Sequence, residues 1–263
     1  MKKSKDRGIF TSIANAIYRH RLIIMAVYFV SLVIFFSLEF NMLQNWDMLV
    51  RILNANFLFH NGLYFENQRA LLETFLIGLF SIILGNNAVY AFLTITTFIF
   101  FLALYMFSEA FNVKYLLLIL ITFNPFLIFY GIKNGSELMV FSFLIMFISM
   151  IKFKDPLAGI FLALAFISKY DALLFSPLLL FIVFDKDVKR GILNFFIAIG
   201  VFLATLIPYF IYNYLIYHNI IYTFAESFFR NGSGGSLVSI NVNTYVYAPA
   251  GLIELSVIGV IVI

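Results

Sequence analysis

The fold is decided by residues 22–38, LIIMAVYFVSLVIFFSL, and by the stretch that follows them, EFNMLQNWD at residues 39–47. The first stretch carries no charged side chain and predicts a membrane-spanning helix. Beyond it stands one acid, Asp47, and then an amphipathic stretch at residues 48–65, which predicts a helix lying along the membrane interface. The chain therefore places an acid at the mouth of its first apolar span.

The composition identifies lipid as the solvent of most of the chain. Of its 263 residues, 63% are hydrophobic and 11% are charged, whereas roughly a quarter are charged in soluble proteins. The mean hydropathy is +1.01. The absence of cysteine excludes disulfides, thiolate nucleophiles and cysteine-ligated metals. The basic residues border apolar runs and form no stripe, so we expect no nucleic-acid partner.

Charge-free runs predict an all-α, polytopic membrane protein with about eight transmembrane helices and additional interfacial amphipathic helices. We expect one integral membrane domain over residues 1–263. After the first span, the predicted spans are 88–107, 115–132, 138–151, 156–168, 172–184 and 191–215, and a last run, 255–263, stops with the chain.

The basic residues orient these spans, because cytoplasmic loops carry an excess of Lys and Arg. Residues 1–21 are rich in both, so the N-terminus is predicted to be cytoplasmic and Asp47 external. The basic turns at 152–154 and 186–190 reach the cytoplasm only if the run 70–85 does not cross but lies on the outer leaflet. A first external loop, 39–87, would then carry the interfacial helices, and 216–248 would form a long external loop. The predicted location is the cell membrane.

Two predicted spans, 156–168 and 172–184, are shorter than the ~20 residues of a straight span. The alternative is one long helix that holds Lys169 and Asp171 inside the bilayer, which is costly. We therefore expect two short helices joined by a polar turn at 168–171, with flanking charged side chains extending to the interface.

The polar residues of the outer face supply the candidate site. Asp47 leads because it lies directly beyond a span, although a solvated loop acid beside Trp46 is the plain alternative. Glu137 opens a predicted helix, where an acid also stabilises the N-terminus. Lys169 lies at a helix end, and its alternative role is only to extend its ammonium to the interface. His60 lacks the spacing of a metal ligand.

The order of these features resembles the GT-C superfamily of polytopic glycosyltransferases, which includes aminoarabinose transferases of lipid A and protein O-mannosyltransferases. That family has an acid in the first external loop, interfacial helices, a second acid in the next external loop and a long loop after the seventh span. This chain has Asp47, residues 48–85, Glu137 and residues 217–247 in those positions. The resemblance covers roughly residues 18–247.

Shorter motifs extend the resemblance to the aminoarabinose transferases. They are LYFE at 63–66, LGNN at 84–87, SKYD at 168–171, PYFIYNY at 208–214 and HNIIY at 218–222.

The chain also departs from the family. Where the family has two consecutive acids in the first loop, this chain has Asp47-Met48, so the second acid is missing. Where the aminoarabinose transferases have Lys-Pro after the glutamate, this chain has Asn67-Gln68, with Arg69 close by. Relatives continue through several more helices, so a C-terminally truncated or split protein is expected.

The resemblance implies an inverting transferase whose donor is a sugar on a polyprenyl phosphate. The acceptor would be a protein, a lipid or a glycan, and membrane lipid would surround the site. Asp47 would be the catalytic general base, and Lys169, Arg69 and Arg230 would stabilise the leaving phosphate. Arg230 lies in residues 228–235, FFRNGSGG, which predict a flexible loop.

Three further residues complete the substrate-binding set that the resemblance implies. Glu137 would either orient the acceptor or share a divalent ion with Asp47, and many relatives need no metal, so we predict no cofactor. Tyr64 and Glu66 belong to the motif that precedes the second interfacial helix.

Other classes of protein fit the sequence less well. A secondary transporter is expected to show internal repeats and charges at mid-membrane, whereas the charges here collect at one face. A noncatalytic membrane subunit, or a lipid-binding or transport protein, is the alternative function. The nucleotide-binding and zinc-protease motifs of soluble enzymes are absent from the sequence.

Overall fold

A computed structural model describes residues 46–113, 136–185 and 187–233, together with scattered positions between 20 and 34. From residue 229 to residue 233 only the backbone is described. The regular secondary structure in this part of the chain consists of helices alone, which confirms the all-α class. The described positions at 23–34 of the predicted first span are helical. The predicted spans 115–132 and 255–263, and nearly all of the basic N-terminus 1–21, lie outside the described residues.

The described helices follow one another with short connections and pack mostly on their sequence neighbours. They are α1 (Trp46–His60), α2 (Leu72–Leu84), α3 (Ala88–Phe111), α4 (Glu137–Phe153), α5 (Ala158–Ser168), a 3-10 helix (Tyr170–Ile182), α6 (Val188–Thr205), α7 (Ile207–Tyr217) and α8 (Tyr222–Ser233). A 3-10 turn, Gly85–Asn87, joins α2 to α3.

The molecule has an apolar interior and a largely apolar exterior. Phe92, Phe100 and Met139 are buried in a core formed by α1 to α5, while apolar side chains such as Ile83 and Leu215 are exposed. An apolar surface of this kind is expected where lipid replaces water. Two helical stretches, Leu72–Phe111 and Val188–Thr205, are long and apolar enough to span a membrane.

Helix α1 confirms the first part of the amphipathic prediction at residues 48–65 and corrects its end. The helix stops at His60 because Asn61 adopts the left-handed conformation, with φ 56°. Asn followed by Gly62 is a common way to end a helix. Residues 61–70 then form a segment without regular secondary structure, and this segment carries several of the candidate site residues.

The predicted turn at 168–171 is confirmed, because Lys169 is extended (φ −157°, ψ 121°) between α5 and the 3-10 helix. The span predicted over 191–215 is occupied by two helices, α6 and α7, and of these α6 is long and apolar enough to cross a membrane. The stretch is interrupted at Leu206, and α7 starts with Pro208 in its first turn. Proline has no N–H to continue the hydrogen bonding of α6.

The segment predicted as a long external loop, 216–248, contains a helix near its start. Helix α8 occupies residues 222–233, which include most of the stretch predicted to be flexible at 228–235. This helix is amphipathic, and its apolar face packs close to α7 and the turn at 168–171.

Candidate functional site

A polar cavity of about 220 Å³ lies where α1, the segment 61–70, the start of α4 and the turn at 168–171 meet. It gathers residues that are far apart in the sequence, and four of the predicted site residues are among them. The lining residues are Asp47, Arg51, Gln68, Arg69, Ala70, Ser136, Glu137, Ser168, Lys169, Tyr170, Asp171 and Ser227.

Arg69 links two carboxylates on one side of this cavity. Its Nη1 lies 2.5 Å from Asp47 Oδ1, and its Nε donates to Glu66 Oε2 at 3.1 Å. The Asp47 side chain remains 34% exposed, so a molecule in the cavity can reach its carboxylate. Helix α1 presents Asp47 from its first turn, whereas Arg69 comes from the irregular segment that follows that helix.

Glu66 is held by several side chains and lies behind the cavity wall. The Tyr64 hydroxyl donates to Glu66 Oε1, and Gln68 Nε2 donates to Glu66 Oε2 at 3.3 Å. Burial raises the pKa of Glu66, but the bonds from Tyr64 and Arg69 outweigh burial and bring the pKa below its usual value. Tyr64 and Glu66 were predicted to bind substrate; in the structure Tyr64 bonds Glu66, and Glu66 bonds Arg69.

On the other side of the cavity, Lys169 Nζ donates to Glu137 Oε1 at 2.8 Å. Ser136 Oγ donates to the second oxygen, Glu137 Oε2, at 2.6 Å. Both charged groups lie at helix ends, outside the predicted spans. Burial raises the pKa of Glu137 and lowers that of Lys169, but their mutual attraction outweighs burial. The pKa of Glu137 is therefore lowered and that of Lys169 is raised.

A buried ion pair lies beneath the cavity and was not predicted. Arg51 Nη1 is 3.4 Å from Glu73 Oε2, and both side chains are almost fully buried. Arg51 follows Asp47 by four residues on α1, so both lie on the same helical face. This spacing places Arg51 near the site but does not indicate Glu73 as its partner. Among the residues that the structure describes, Arg51 Nε and Glu73 Oε1 have no hydrogen-bond partner. Burying such an ion pair costs free energy of folding unless the remaining polar atoms of both side chains are also hydrogen-bonded.

A second cavity, of about 430 Å³, adjoins the first and is mostly apolar. The two cavities share three wall residues, Tyr170, Asp171 and Ser227. The remaining lining residues of the second cavity are Leu173, Leu174, Phe224 and Phe228.

Hydrogen bonds hold α8 against these cavities. The Tyr170 hydroxyl donates to Thr223 Oγ1 at 2.9 Å, and the Tyr209 hydroxyl lies at the same distance from that oxygen. The Thr223 N–H donates to Asn213 Oδ1 at 3.0 Å. This buried network fixes the start of α8. Arg230 lies farther along the helix, and its side chain is outside the described residues.

The arrangement of the carboxylates bears on the divalent ion that the sequence left open. Asp47 is paired with Arg69 and Glu137 with Lys169, so each carboxylate already has a cationic partner. Within the described ranges, no group of three or more His, Asp or Glu side chains is placed to hold a metal ion. The cations suit a bound anion, because phosphate oxygens can replace carboxylate oxygens on Arg and Lys.

Comparison of the chain with protein-family models, curated proteins and solved structures finds no match. The functional assignment therefore depends on the chemistry of the cavities and on the motifs of the sequence.

Proposed function

We propose that this protein is a multi-pass membrane glycosyltransferase of the GT-C type. It moves a sugar from a polyprenyl-phosphate donor to an acceptor at the extracytoplasmic face, with inversion at the anomeric carbon. The observation that carries this proposal is the polar cavity, where an accessible acid, Asp47, stands with two cations, Arg69 and Lys169. An acid and cations within one cavity are what a displacement with an anionic leaving group requires.

The proposed reaction uses each of these groups once. Asp47 accepts the proton of the acceptor hydroxyl as its oxygen attacks the anomeric carbon, and the bond from that carbon to the phosphate oxygen breaks. Arg69 and Lys169 stabilise the negative charge that collects on the departing polyprenyl phosphate. Before the donor binds, these cations are paired with Asp47, Glu66 and Glu137. The donor phosphate competes for them and releases the Asp47 carboxylate for its role as base.

The remaining parts of the proposal concern the membrane and the other site residues. The chain crosses the cell membrane about eight times, with the N-terminus in the cytoplasm and the cavity at the outer interface. Glu137 orients the acceptor, and Arg230 joins the phosphate from α8. The acceptor is a protein, a lipid or a glycan.

The proposal is tested with the Asp47→Asn variant. The amide keeps the shape of the side chain but does not accept the proton, so we expect a ~10²–10⁴-fold lower rate of transfer. The measurement is transfer from polyprenyl-phosphate sugars by purified protein in lipid nanodiscs, with acceptors first identified by mass analysis of cells with and without the gene. Asp155→Asn is the matched control, because Asp155 lies beyond the other end of α4, where its carboxylate accepts from the Leu157 N–H. Wild-type turnover by Asp47→Asn contradicts the proposal.

The apolar cavity favours a second candidate, a noncatalytic lipid-binding subunit. A cavity of about 430 Å³ with mostly apolar walls suits a lipid chain whether or not any chemistry follows. Under this alternative, wild-type protein binds the polyprenyl phosphate but transfers no sugar, and Asp47→Asn binds it equally well.

A further inference from the structure

Asn54 has a fully buried side chain on α1, two helical turns after Asp47. Its side-chain amide meets both backbone polar groups of Glu66. Asn54 Nδ2 donates to the Glu66 carbonyl oxygen at 2.9 Å, and the Glu66 N–H donates to Asn54 Oδ1 at 2.8 Å. One side chain thus fixes the backbone of one residue in the irregular segment 61–70.

From Glu66 the contacts continue into the polar cavity. Glu66 Oε2 accepts from Arg69 Nε at 3.1 Å, and Arg69 Nη1 reaches Asp47 Oδ1 at 2.5 Å. Asp47 and Asn54 lie seven residues apart, on the same face of α1. The contacts therefore form a closed circuit that leaves α1 at Asn54 and returns to it at Asp47.

We propose that Asn54 is a positioning residue that sets the place of the Asp47 carboxylate through Glu66 and Arg69. The segment 61–70 has no helix or strand of its own to hold it. A short segment without a backbone ladder depends on side-chain bonds for its geometry. The Tyr170 hydroxyl lies 3.5 Å from the Arg69 carbonyl oxygen, and the amide of Asn54 fixes Glu66, to which the Arg69 side chain is bonded. The consequence of this placement for catalysis rests on the proposed function, whereas the placement itself does not.

The test compares Asn54→Leu with Asn56→Leu, a control two residues along the same helix whose side chain is exposed. The first readout needs no activity. Carboxylates of the purified full chain are modified with a water-soluble carbodiimide and an amine, and modification of Asp47 is measured by mass spectrometry. We expect Asp47 to be modified several-fold faster in Asn54→Leu, approaching its rate in Arg69→Gln, because Arg69 no longer covers it. Asn56→Leu should match the wild type.

The second readout is kcat per folded molecule. A misplacement of about 1 Å can cost on the order of 10²-fold in rate, so Asn54→Leu should lower kcat by up to that factor, and Asn56→Leu should not. If Asn54 only stabilises the fold, the folded fraction falls while kcat and Asp47 modification stay at the control values, and the proposal is overturned.

Two provisions keep the test decisive. If Asn54→Leu does not fold, Asn54→Asp carries the same comparison, because it keeps the acceptor for the Glu66 N–H and replaces the donor to the Glu66 carbonyl with a carboxylate oxygen that repels it. If the wild type transfers no sugar, the proposed function fails, while faster modification of Asp47 in the Asn54 variants still supports the positioning role. Unchanged modification in both variants overturns that role.

Discussion

The position of Lys169 at a helix end fits two roles, a contact with the membrane interface and a contact with a bound phosphate. A lysine at a helix end commonly extends its ammonium to the interface without any further role. Here the ammonium instead bonds Glu137 at 2.8 Å inside the polar cavity, while 44% of the side chain stays exposed. An ammonium that is held by one carboxylate and remains accessible is able to exchange that partner for a phosphate oxygen.

We predict that Lys169→Gln lowers the rate of transfer by ~10²–10³-fold, the usual loss when one contact to a developing charge is removed. Donor binding should weaken less, because the contact strengthens as charge collects on the phosphate. Single-turnover transfer and donor binding are measured on the same purified variant, with the exposed Lys189→Gln as control. A silent Lys169→Gln would mean that the ammonium only extends to the interface.

The pair of Glu137 and Lys169 predicts how the stability of the protein depends on pH. The lowered pKa of Glu137 means that its contribution to stability is present above its unfolded value and is lost as pH falls through the folded value. The raised pKa of Lys169 means that its contribution is present below its unfolded value and is lost as pH rises through the folded value. The stability difference between wild type and Lys169→Gln should therefore stay constant from about pH 5 to about pH 10.

At the scale of the helices, the 3-10 conformation lengthens a stretch that is short for a proposed membrane span. Residues 172–184 are too few for a straight α-helical span. The structure instead winds Tyr170–Ile182, 13 residues, as a 3-10 helix that contains Pro177. A rise of about 2.0 Å per residue gives it ~26 Å, against ~20 Å for an α-helix of equal length. That length approaches the ~30 Å thickness of the hydrocarbon layer.

Close helix packing at this scale depends on Gly159. A Cβ added there would lie 2.1 Å from the carbonyl oxygen of Ala198, so α5 and α6 approach each other through the missing side chain. Small residues commonly permit such approaches between membrane helices. A backbone oxygen cannot move aside as a flexible side chain can, so a larger residue at Gly159 must push the two helices apart.

We predict that Gly159→Ala destabilises the protein by about 1–3 kcal/mol, the usual cost of overpacking. Gly200→Ala is the matched control, because a Cβ at Gly200 meets nothing within 4 Å. The control should be neutral or stabilising by about 0.5–1 kcal/mol, since alanine favours a helix. Unfolding is followed in detergent micelles for both variants. Equal behaviour of the two variants would show that the approach at Ala198 is not required.

At the scale of the whole molecule, periodicity and composition were enough to predict an all-helical chain and the turn at 168–171. They did not predict where α1 ends, because the Asn61-Gly62 stop lies inside a continuous amphipathic pattern. They also missed the interruption at Leu206, where the apolar run continues although one helix ends at Thr205 and the next begins at Ile207. The local signals, an Asn-Gly pair and Pro208, were present in the sequence but were outweighed by hydrophobicity.

The site was predictable in part for a similar reason. Asp47, Glu137 and Lys169 stand out because each is polar at the edge of an apolar run. The supporting role of Glu66 and the anchor at Asn54 were not predictable, because both depend on contacts made by a segment without periodicity. Such contacts form only when the chain has folded, and the spacing of residues in the sequence does not predict them.

The polar cavity and the basic turns lie at opposite ends of helix α4. Helix α4, of 17 residues, begins at Glu137 in the polar cavity and ends at Phe153, ~25 Å away. The basic turns lie together at that far end, where Lys154 Nζ donates to the Phe181 carbonyl oxygen and Asn194 Nδ2 donates to that of Lys154. This separation supports a cytoplasmic position for both turns and an external one for the cavity.

We predict that single cysteines at Lys154 and Lys189 resist a membrane-impermeant maleimide in intact cells and react once the membrane is permeabilised. A cysteine at the exposed Asn61, at the end of α1, should react in intact cells. The natural sequence has no cysteine, so background labelling of this chain is absent. If Lys189→Cys reacts in intact cells while Asn61→Cys also does, an odd number of crossings no longer separates the two positions. The run 70–85 would then have to cross the membrane, which would put Lys189 on the side of Asp47 and move Glu137 and Lys169 to the opposite side, in conflict with the single cavity that they share.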